Sequence, residues 1–200
     1  SDVLFAYELD SISQFSYDAA LDTFKWQPAY TMLPDQQVSP FSFPAIVTNE
    51  GANSIPTVNY NVDVKLGVSS VFSSLGSYSP PGNYTPTAIG IYNVSGVLTT
   101  LGFADQNPTN DTNSFSFAVT DTVMARDNGI INSALGIGGS LGGGVLGQIY
   151  VLPSADIITS VTFRCNGPTE GDTTRVNIYN FTGGAPGAII GWSDYYFFSA

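Results

Sequence analysis

The sequence predicts an all-β protein in which one β-sandwich is followed by a second, smaller β-sandwich or by part of one. Apolar and polar residues alternate with a period of two along most segments that contain large apolar side chains. Clusters of Gly, Pro, Asn and Asp separate these segments at short intervals. The chain has 200 residues, of which 43% are hydrophobic. This is enough apolar material for one or two cores.

The clearest predicted strand is the segment 58–66. Every second residue in it is large and apolar, while Asn59, Asn61, Asp63 and Lys65 would face water. The same alternation predicts four further strands, which are the segments 41–47, 114–119, 158–165 and 175–179.

One short segment, 17–24, does not fit this pattern and is predicted to form one or two helical turns beside the sandwich. Cys165 is the only cysteine, so the chain cannot form an internal disulfide. This cysteine ends the alternating segment 158–165 and is predicted to be buried rather than reactive.

The chain is predicted to divide near residue 121. Residues 1–120 match the size of an immunoglobulin-like β-sandwich with about seven strands. A glycine-rich segment, 136–147, follows the boundary, and strand signals resume at Gln148. Residues 121–200 are few for a complete sandwich, so they are predicted to be a second β-sandwich domain or the beginning of one. The aromatic end of the chain is predicted to be a strand whose neighbours are missing, or one that pairs with the first domain or another chain.

The charge balance excludes several classes of function. The chain has 16 Asp and Glu against 5 Lys and Arg, which gives a net charge of −11, and it has no histidine. Scattered cations do not form the basic surface that nucleic acid or an anionic membrane requires. Without histidine, the commonest general base and the usual serine and cysteine nucleophile pairs are missing. The chain is therefore predicted not to be an enzyme, with no catalytic residues, no cofactor, no nucleic-acid partner and no membrane insertion.

The glycine-rich segment matches Gly-x-Gly-x-x-Gly through glycine density alone. A dinucleotide fingerprint also needs a preceding strand and a following helix, which the sequence does not predict here. A calcium site is the second candidate, because Asp105, Asn107, Asn110 and Asp111 place four oxygen-bearing side chains close together. Their spacing differs from that of an EF-hand, so Asx turns between two strands are the favoured interpretation.

Four aromatic residues are candidates for a carbohydrate-stacking platform on a sandwich, namely Trp26, Trp192, Tyr195 and Tyr196. Aromatic residues make up 13% of the chain, a content that two β cores with Tyr-rich edges would also explain. The platform predicts that Trp26 or Trp192 faces solvent beside another aromatic ring.

The segment 34–51, PDQQVSPFSFPAIVTNEG, resembles the segment that opens adhesion-type immunoglobulin-like modules in large secreted proteins of Bacteroidetes. The likeness continues through the strand 58–66 and the Pro-Gly turn at 81–82. The turn 105–110 is similar to the one that ends the CARDB-like (cell-adhesion-related) fold. The junction 124–129, MARDNG, is similar to the linker with which those proteins enter a following β-sandwich.

The resemblance implies a non-enzymatic, extracellular or cell-surface adhesion and spacer module of a larger protein exported by type IX secretion. Its partners would be neighbouring domains of the same protein, with surface glycans or host or matrix proteins as further candidates. Two alternatives stay open. One is a carbohydrate-binding accessory domain of a secreted hydrolase. The other is a phage or viral fibre protein that forms oligomers through its glycine-rich segment and aromatic tail.

Overall fold

The structure is a computed structural model that describes residues 15–24, 30–76, 83–127, 129–130, 144–165, 167–168 and 170–199. Within these ranges the regular structure consists of β-strands and one 3-10 turn at Asp35–Gln37, so the predicted all-β class is confirmed. The chain divides into two compact units, Ser1–Asn128 and Gly129–Ala200. The described part of the chain contains no helix with the length and apolar composition needed to span a bilayer.

The first unit contains seven described strands. Their bounds are β1 Ala19–Phe24, β2 Met32–Pro34, β3 Ala45–Asn49, β4 Val58–Leu66, β5 Ser69–Gly76, β6 Gly90–Thr100 and β7 Thr112–Thr120. Five of them form one sheet in the order β2-β7-β6-β4-β5, and β1 pairs with β3 in a second sheet. The pairing of β2 with β7 is parallel, whereas the other pairings are antiparallel. The strands predicted at 58–66 and 114–119 are confirmed as β4 and β7.

A single apolar core lies between the two sheets. The alternation of β4 places Val58, Tyr60, Val62 and Val64 in this core, each with at most 1% of its surface exposed. Aromatic rings fill much of the space, and the ring of Phe117 is in contact with several others. The buried residues of the core are Ala19, Leu21, Tyr30, Leu33, Phe41, Phe43, Val58, Tyr60, Val62, Val64, Tyr84, Tyr92, Val94, Leu98, Phe117 and Val119.

The helix predicted at 17–24 is wrong, because Ala19–Phe24 forms the strand β1. A helix of two turns is marginal in water because its nucleation is costly. As a strand, the same segment pairs with β3 from Ala19 opposite Asn49 to Phe24 opposite Ala45. It also buries Leu21, which is 4% exposed, in the core. Tertiary pairing therefore decides the conformation of this segment.

The first unit extends beyond the boundary predicted near residue 121. After β7 the chain folds back, and Ala125 forms an antiparallel bridge with Met32 of β2. The amide of Ala125 donates to the carbonyl of Met32 at 3.0 Å, and the amide of Thr31 donates to the carbonyl of Ala125 at 2.9 Å. These bonds attach the return segment to the edge of the five-stranded sheet.

The second unit contains four described strands, β8 Thr173–Thr174, β9 Asn177–Thr182, β10 Ala185–Trp192 and β11 Tyr196–Phe197. They form two separate two-stranded ribbons, β9 with β10 and β8 with β11. Gly183 and Gly184 join β9 to β10 with φ values of +65° and +82°. Such a pair of positive φ values suits a two-residue hairpin turn.

Two sequence predictions for the second unit are wrong. The segment 158–165 is not assigned to a strand, and Cys165 is exposed rather than buried. The missing strand and the exposed cysteine have the same physical cause. The alternating pattern of this segment suits a face covered by a second layer, and no described residue of the unit is buried. The aromatic end of the chain does form a short strand, and it pairs with β8.

Candidate functional site

The loop between β6 and β7 contains the residues predicted as calcium-loop candidates. Asp105 Oδ1 accepts the amide N–H of Asn107 at 2.9 Å, which is the geometry of an Asx turn. Asp105 Oδ2 accepts the amide N–H of Ala19 at 2.8 Å, at the start of β1. The side chain of Asn107 is engaged as well, since its Oδ1 accepts the hydroxyl of Thr109 at 2.6 Å. Both oxygens of Asp105 thus hold backbone amides.

Asp18 lies beside this loop and is only 1% exposed. Its Oδ1 accepts a side-chain N–H of Asn110 at 2.9 Å, and its Oδ2 accepts a side-chain N–H of Asn107 at 3.4 Å. Its backbone carbonyl accepts the N–H groups of Glu50 and Gly51 at 2.9 and 3.3 Å. Asp18 therefore binds the loop after β6 through its side chain and the turn after β3 through its backbone.

Five residues form the Asp18 cluster, namely Asp18, Asp105, Asn107, Asn110 and Asp111. Sequence reasoning found four of them and missed Asp18. The only available signal was one acidic residue in a segment interpreted as helical, and this signal does not distinguish a buried carboxylate from a solvated one.

Asp111 is the member of the cluster whose surroundings most disfavour the ionised carboxylate. Burial, and after it the negative charges of Asp105 and Asp18, raise the pKa of its carboxyl to about 6. Its Oδ1 is buried and accepts no hydrogen bond, and the same is true of Oδ1 of Asn110. Unpaired buried oxygens cost free energy of folding.

The geometry of the Asp18 cluster is that of a structural clamp. Two of its three carboxylates already accept N–H groups from the protein. Among the residues that the structure describes, no three His, Cys, Asp or Glu side chains are arranged to hold a metal ion. Calcium binding by Asp105, Asn107, Asn110 and Asp111 therefore stays a prediction.

The strands β1 and β2 are hydrogen-bonded along the length of β7. The Asp18 cluster holds the start of β1 beside the start of β7, where the amide of Leu21 donates to the carbonyl of Asn110 at 2.9 Å. Further along, β2 runs parallel to β7, with Met32 opposite Ala118. The amide of Ala118 donates to the carbonyl of Thr31 at 2.8 Å. The chain from β1 to β2 is thus attached near both ends of β7.

The second unit contains an open cleft of about 570 Å³. Most of its lining side chains are apolar, and the two cationic residues in the lining are Arg164 and Arg175. The residues that line it are Ile158, Thr159, Ser160, Val161, Phe163, Arg164, Cys165, Thr174, Arg175, Val176, Ile178, Trp192, Ser193, Tyr196 and Phe198. Sequence reasoning did not select the two arginines, because only the fold places them on one surface.

The aromatic residues predicted for a carbohydrate platform separate into three groups. Trp192 and Tyr196 are 70% and 61% exposed, and both line the cleft. Tyr195 is exposed too, but the guanidinium of Arg175 lies over its ring, 4.9 Å from the centroid. Trp26 lies outside the described residues.

A second, shallower groove of about 360 Å³ lies on the outer face of the five-stranded sheet. Its lining is polar along the exposed side of three strands and includes Lys65, Asn93, Ser95, Ser114 and Ser116. Asp63, near this groove, pairs with Lys65 at 3.5 Å. Short hydroxyl and amide side chains of this kind keep an exposed sheet face solvated.

Comparison with known proteins gives a likeness among solved structures only. No protein-family model matches the chain, and no curated protein matches it. Among solved structures, the chain is similar to the CARDB domain of a Pyrococcus furiosus protein, a crystal structure in complex with di-metal ions. The identity is 17% and the TM-score 0.37, and the likeness covers 58% of this chain and 100% of that chain. That domain has the family name of the fold that the sequence resembles, whereas an origin in Bacteroidetes and type IX secretion stay predictions.

Proposed function

We propose that the chain is a non-enzymatic adhesion and spacer module of a larger secreted or cell-surface protein. The observation that carries this proposal is that hydrogen bonds attach β1 and β2 along the length of β7. A spacer between two surfaces has to resist tension applied through its ends, and this attachment suits such a load.

The direction of the strands determines how the bonds are loaded. Within the described residues, β1 begins beside the start of β7, and β2 is parallel to β7. Tension on the two ends would first peel the return segment at Ala125 from β2, one bond at a time. It would then pull β2 and β7 in opposite directions along their axes. The remaining bonds would carry the load together, because in shear no bond can open before its neighbours.

The composition supports an extracellular location for this module. Only 10% of the residues are charged, which is well below the average of about 25% for soluble proteins. A surface rich in Ser, Thr and Asn, as in the groove on the five-stranded sheet, stays solvated with few charges. Neighbouring domains of the same protein are the proposed partners, because a spacer acts through what it connects.

Single-molecule force spectroscopy on the full chain, held at its two ends, tests the proposal. Unfolding of the first unit, Ser1–Asn128, should release roughly 400 Å of chain, since extended residues span at most about 3.3–3.6 Å each. We expect Asp18→Ala to lower the unfolding force, because it releases the start of β1 from the loop after β6. The matched control is Asp63→Ala on β4, which should leave the force unchanged.

A second pulling direction sharpens the test. When the handles are attached to β4 and to the edge strand β5, the bonds between these strands open one at a time. The force in this direction should be clearly lower than the force between the chain ends. Equal forces in the two directions, or equal effects of the two substitutions, would contradict the proposed mechanical role.

The alternative, a carbohydrate-binding accessory domain, has one observation in its favour. Trp192 and Tyr196 are exposed and line the same cleft. Seven of the thirteen other lining residues are apolar, and the six that could bond sugar hydroxyls are Thr159, Ser160, Arg164, Thr174, Arg175 and Ser193. A glycan array repeated with Trp26→Ala and Trp192→Ala tests this alternative, which requires binding to at least one sugar and its loss in one of these variants.

A further inference from the structure

We propose that the cleft of the second unit binds an extended, mostly apolar polypeptide strand that carries a carboxylate and belongs to a partner protein. The inference does not depend on the spacer role of the first unit. Three features of the described residues support it, namely uncovered apolar surface, open strand edges and two arginines without a carboxylate partner among the described residues.

The second unit exposes an unusual amount of apolar surface. None of its described residues is buried. The large apolar side chains that are at least 40% exposed are Ile130, Val145, Leu146, Ile149, Tyr150, Val151, Leu152, Ile157, Ile158, Val161, Phe163, Phe181, Ile189, Ile190, Trp192, Tyr195, Tyr196 and Phe197. Several of them, including Ile158, Phe163, Trp192 and Tyr196, line the same cleft, and contiguous exposed apolar surface of this kind marks an interaction site.

The strands of this unit are open for pairing. Among the described residues, β8 pairs only with β11 and β9 only with β10, so each strand is paired along one edge. An isolated two-stranded ribbon is marginally stable in water. A polypeptide strand added to such an edge supplies main-chain hydrogen bonds, and its alternate side chains enter the apolar cleft. A sugar or another small ligand would leave the edges open.

The charges of the cleft specify the chemistry of the strand. Arg164 and Arg175 are two of only 5 cationic residues in a chain of net charge −11. The ion pair found among the described residues is Lys65 with Asp63, so no described carboxylate pairs with either arginine. A carboxylate on the incoming strand would form charge-assisted hydrogen bonds with these arginines. A second copy of this chain is the less favoured occupant, since two copies would each bring a charge of −11 and repel.

The fluorescence of Trp192 provides a direct test. In the full chain with Trp26→Phe, Trp192 is the only tryptophan, and it is 70% exposed in the cleft. The probe is a blocked nonapeptide that alternates Thr and Val and has Glu at its centre, with a second peptide in which Lys replaces Glu. We expect saturable binding with a blue shift of the emission, and about tenfold weaker binding of the Lys peptide.

Variants of the lining locate the binding. Arg164→Ala combined with Arg175→Ala should remove the preference for Glu over Lys. Ile158→Asp should weaken both peptides, while Ile91→Asp, at a residue of the first unit that is 63% exposed, should weaken neither. Cooperative urea unfolding of the first unit confirms that each variant remains folded there.

Three results would overturn the proposal. The first is no emission change with either peptide, and the second is equal affinity for the two. The third is a sedimentation result in which the chain alone forms a dimer that Ile158→Asp abolishes, because this would assign the cleft to a second copy. If the first result is found, a blue shift with neutral oligosaccharides would assign the cleft to sugars. These results leave the force measurements on the first unit unaffected, so the two proposals fail separately.

Discussion

The two units of the chain are built from similar residues but differ in closure. In the first unit a five-stranded sheet and the β1–β3 pair cover each other, and the apolar side chains between them are almost fully buried. In the second unit two ribbons stand without a described covering layer, and residues of the same types are exposed. Alternation along a strand therefore specifies an apolar face, whereas the burial of that face depends on which element packs against it.

The largest expected contrast between the units concerns one aromatic residue in each. Phe43 is 1% exposed in the first core, and Phe163 is 52% exposed in the second unit. Phe43→Ala should destabilise the first unit by about 3–5 kcal/mol through lost burial and a cavity. Phe163→Ala should cost about 1 kcal/mol or less. Urea unfolding followed by circular dichroism measures both values, and equal costs would remove the basis of the comparison.

Glycine substitutions test the same contrast through the backbone. A Cβ at Gly51 would lie 2.6 Å from the amide nitrogen of Asp18 and 2.9 Å from the Cα of Tyr17. Because these atoms belong to the backbone, Gly51→Ala should destabilise the first unit by about 1–3 kcal/mol.

The matched control for that substitution lies in the second unit. A Cβ at Gly147 would meet no atom within 4 Å, so Gly147→Ala should change the free energy of unfolding by less than about 0.5 kcal/mol. A neutral Gly51→Ala, measured in the same denaturant series, would show that the approach of the β3 turn to Asp18 is not tight.

The sequence predicted those parts of the fold that depend on local pattern. The alternation of β4 and β7 is regular because their outward residues are small or polar. In β6 the pattern is obscured, because Ile91 faces outward at 63% exposure and Gly96 occupies an inward position. The strand β1 and the role of Asp18 were missed because both arise from pairing with residues far away along the chain. The cleft arginines were missed for the same reason.

The Asp18 cluster should make the first unit sensitive to pH. The pKa of Asp111 is about 6 in the folded chain and close to 3.8 in the unfolded chain. The protonated form is therefore favoured by folding, and stability from this group is lost as pH rises from about 4 to 6. Asp111→Asn should remove this loss. Since the carboxyl is only partly buried and screened by solvent, we expect a gain of about 1 kcal/mol at pH 7.5 and almost none at pH 4.

Thermal unfolding at the two pH values measures this effect, with Asp63→Asn, a substitution outside the Asp18 cluster, as the control. Excess CaCl₂ added at pH 7.5 tests the calcium prediction in the same experiment. Stabilisation of the wild type by calcium, lost in Asp111→Asn, would support an ion in the cluster. A gain from Asp111→Asn that is the same at both pH values would contradict the electrostatic explanation.

The smallest expected effect concerns Cys165. Because this thiol is exposed and lines the cleft, it should react with a thiol reagent in the native chain at a rate close to that in urea. The nonapeptide with Glu at its centre should slow the reaction by covering the cleft. A native rate at least a hundredfold below the rate in urea would restore the buried strand that the sequence predicted here.

Hydrogen exchange of the full chain, followed by mass spectrometry, tests the central contrast most directly. Amides in β4, β6 and β7 should exchange only through global unfolding of the first unit, whereas peptides from 144–199 should exchange far faster. Addition of the nonapeptide with Glu at its centre should slow exchange in β9 to β11 and leave β4 unchanged. If β9 and β10 are protected as strongly as β4 in the chain alone, the second unit is as closed as the first, and the proposed contrast between the units is wrong.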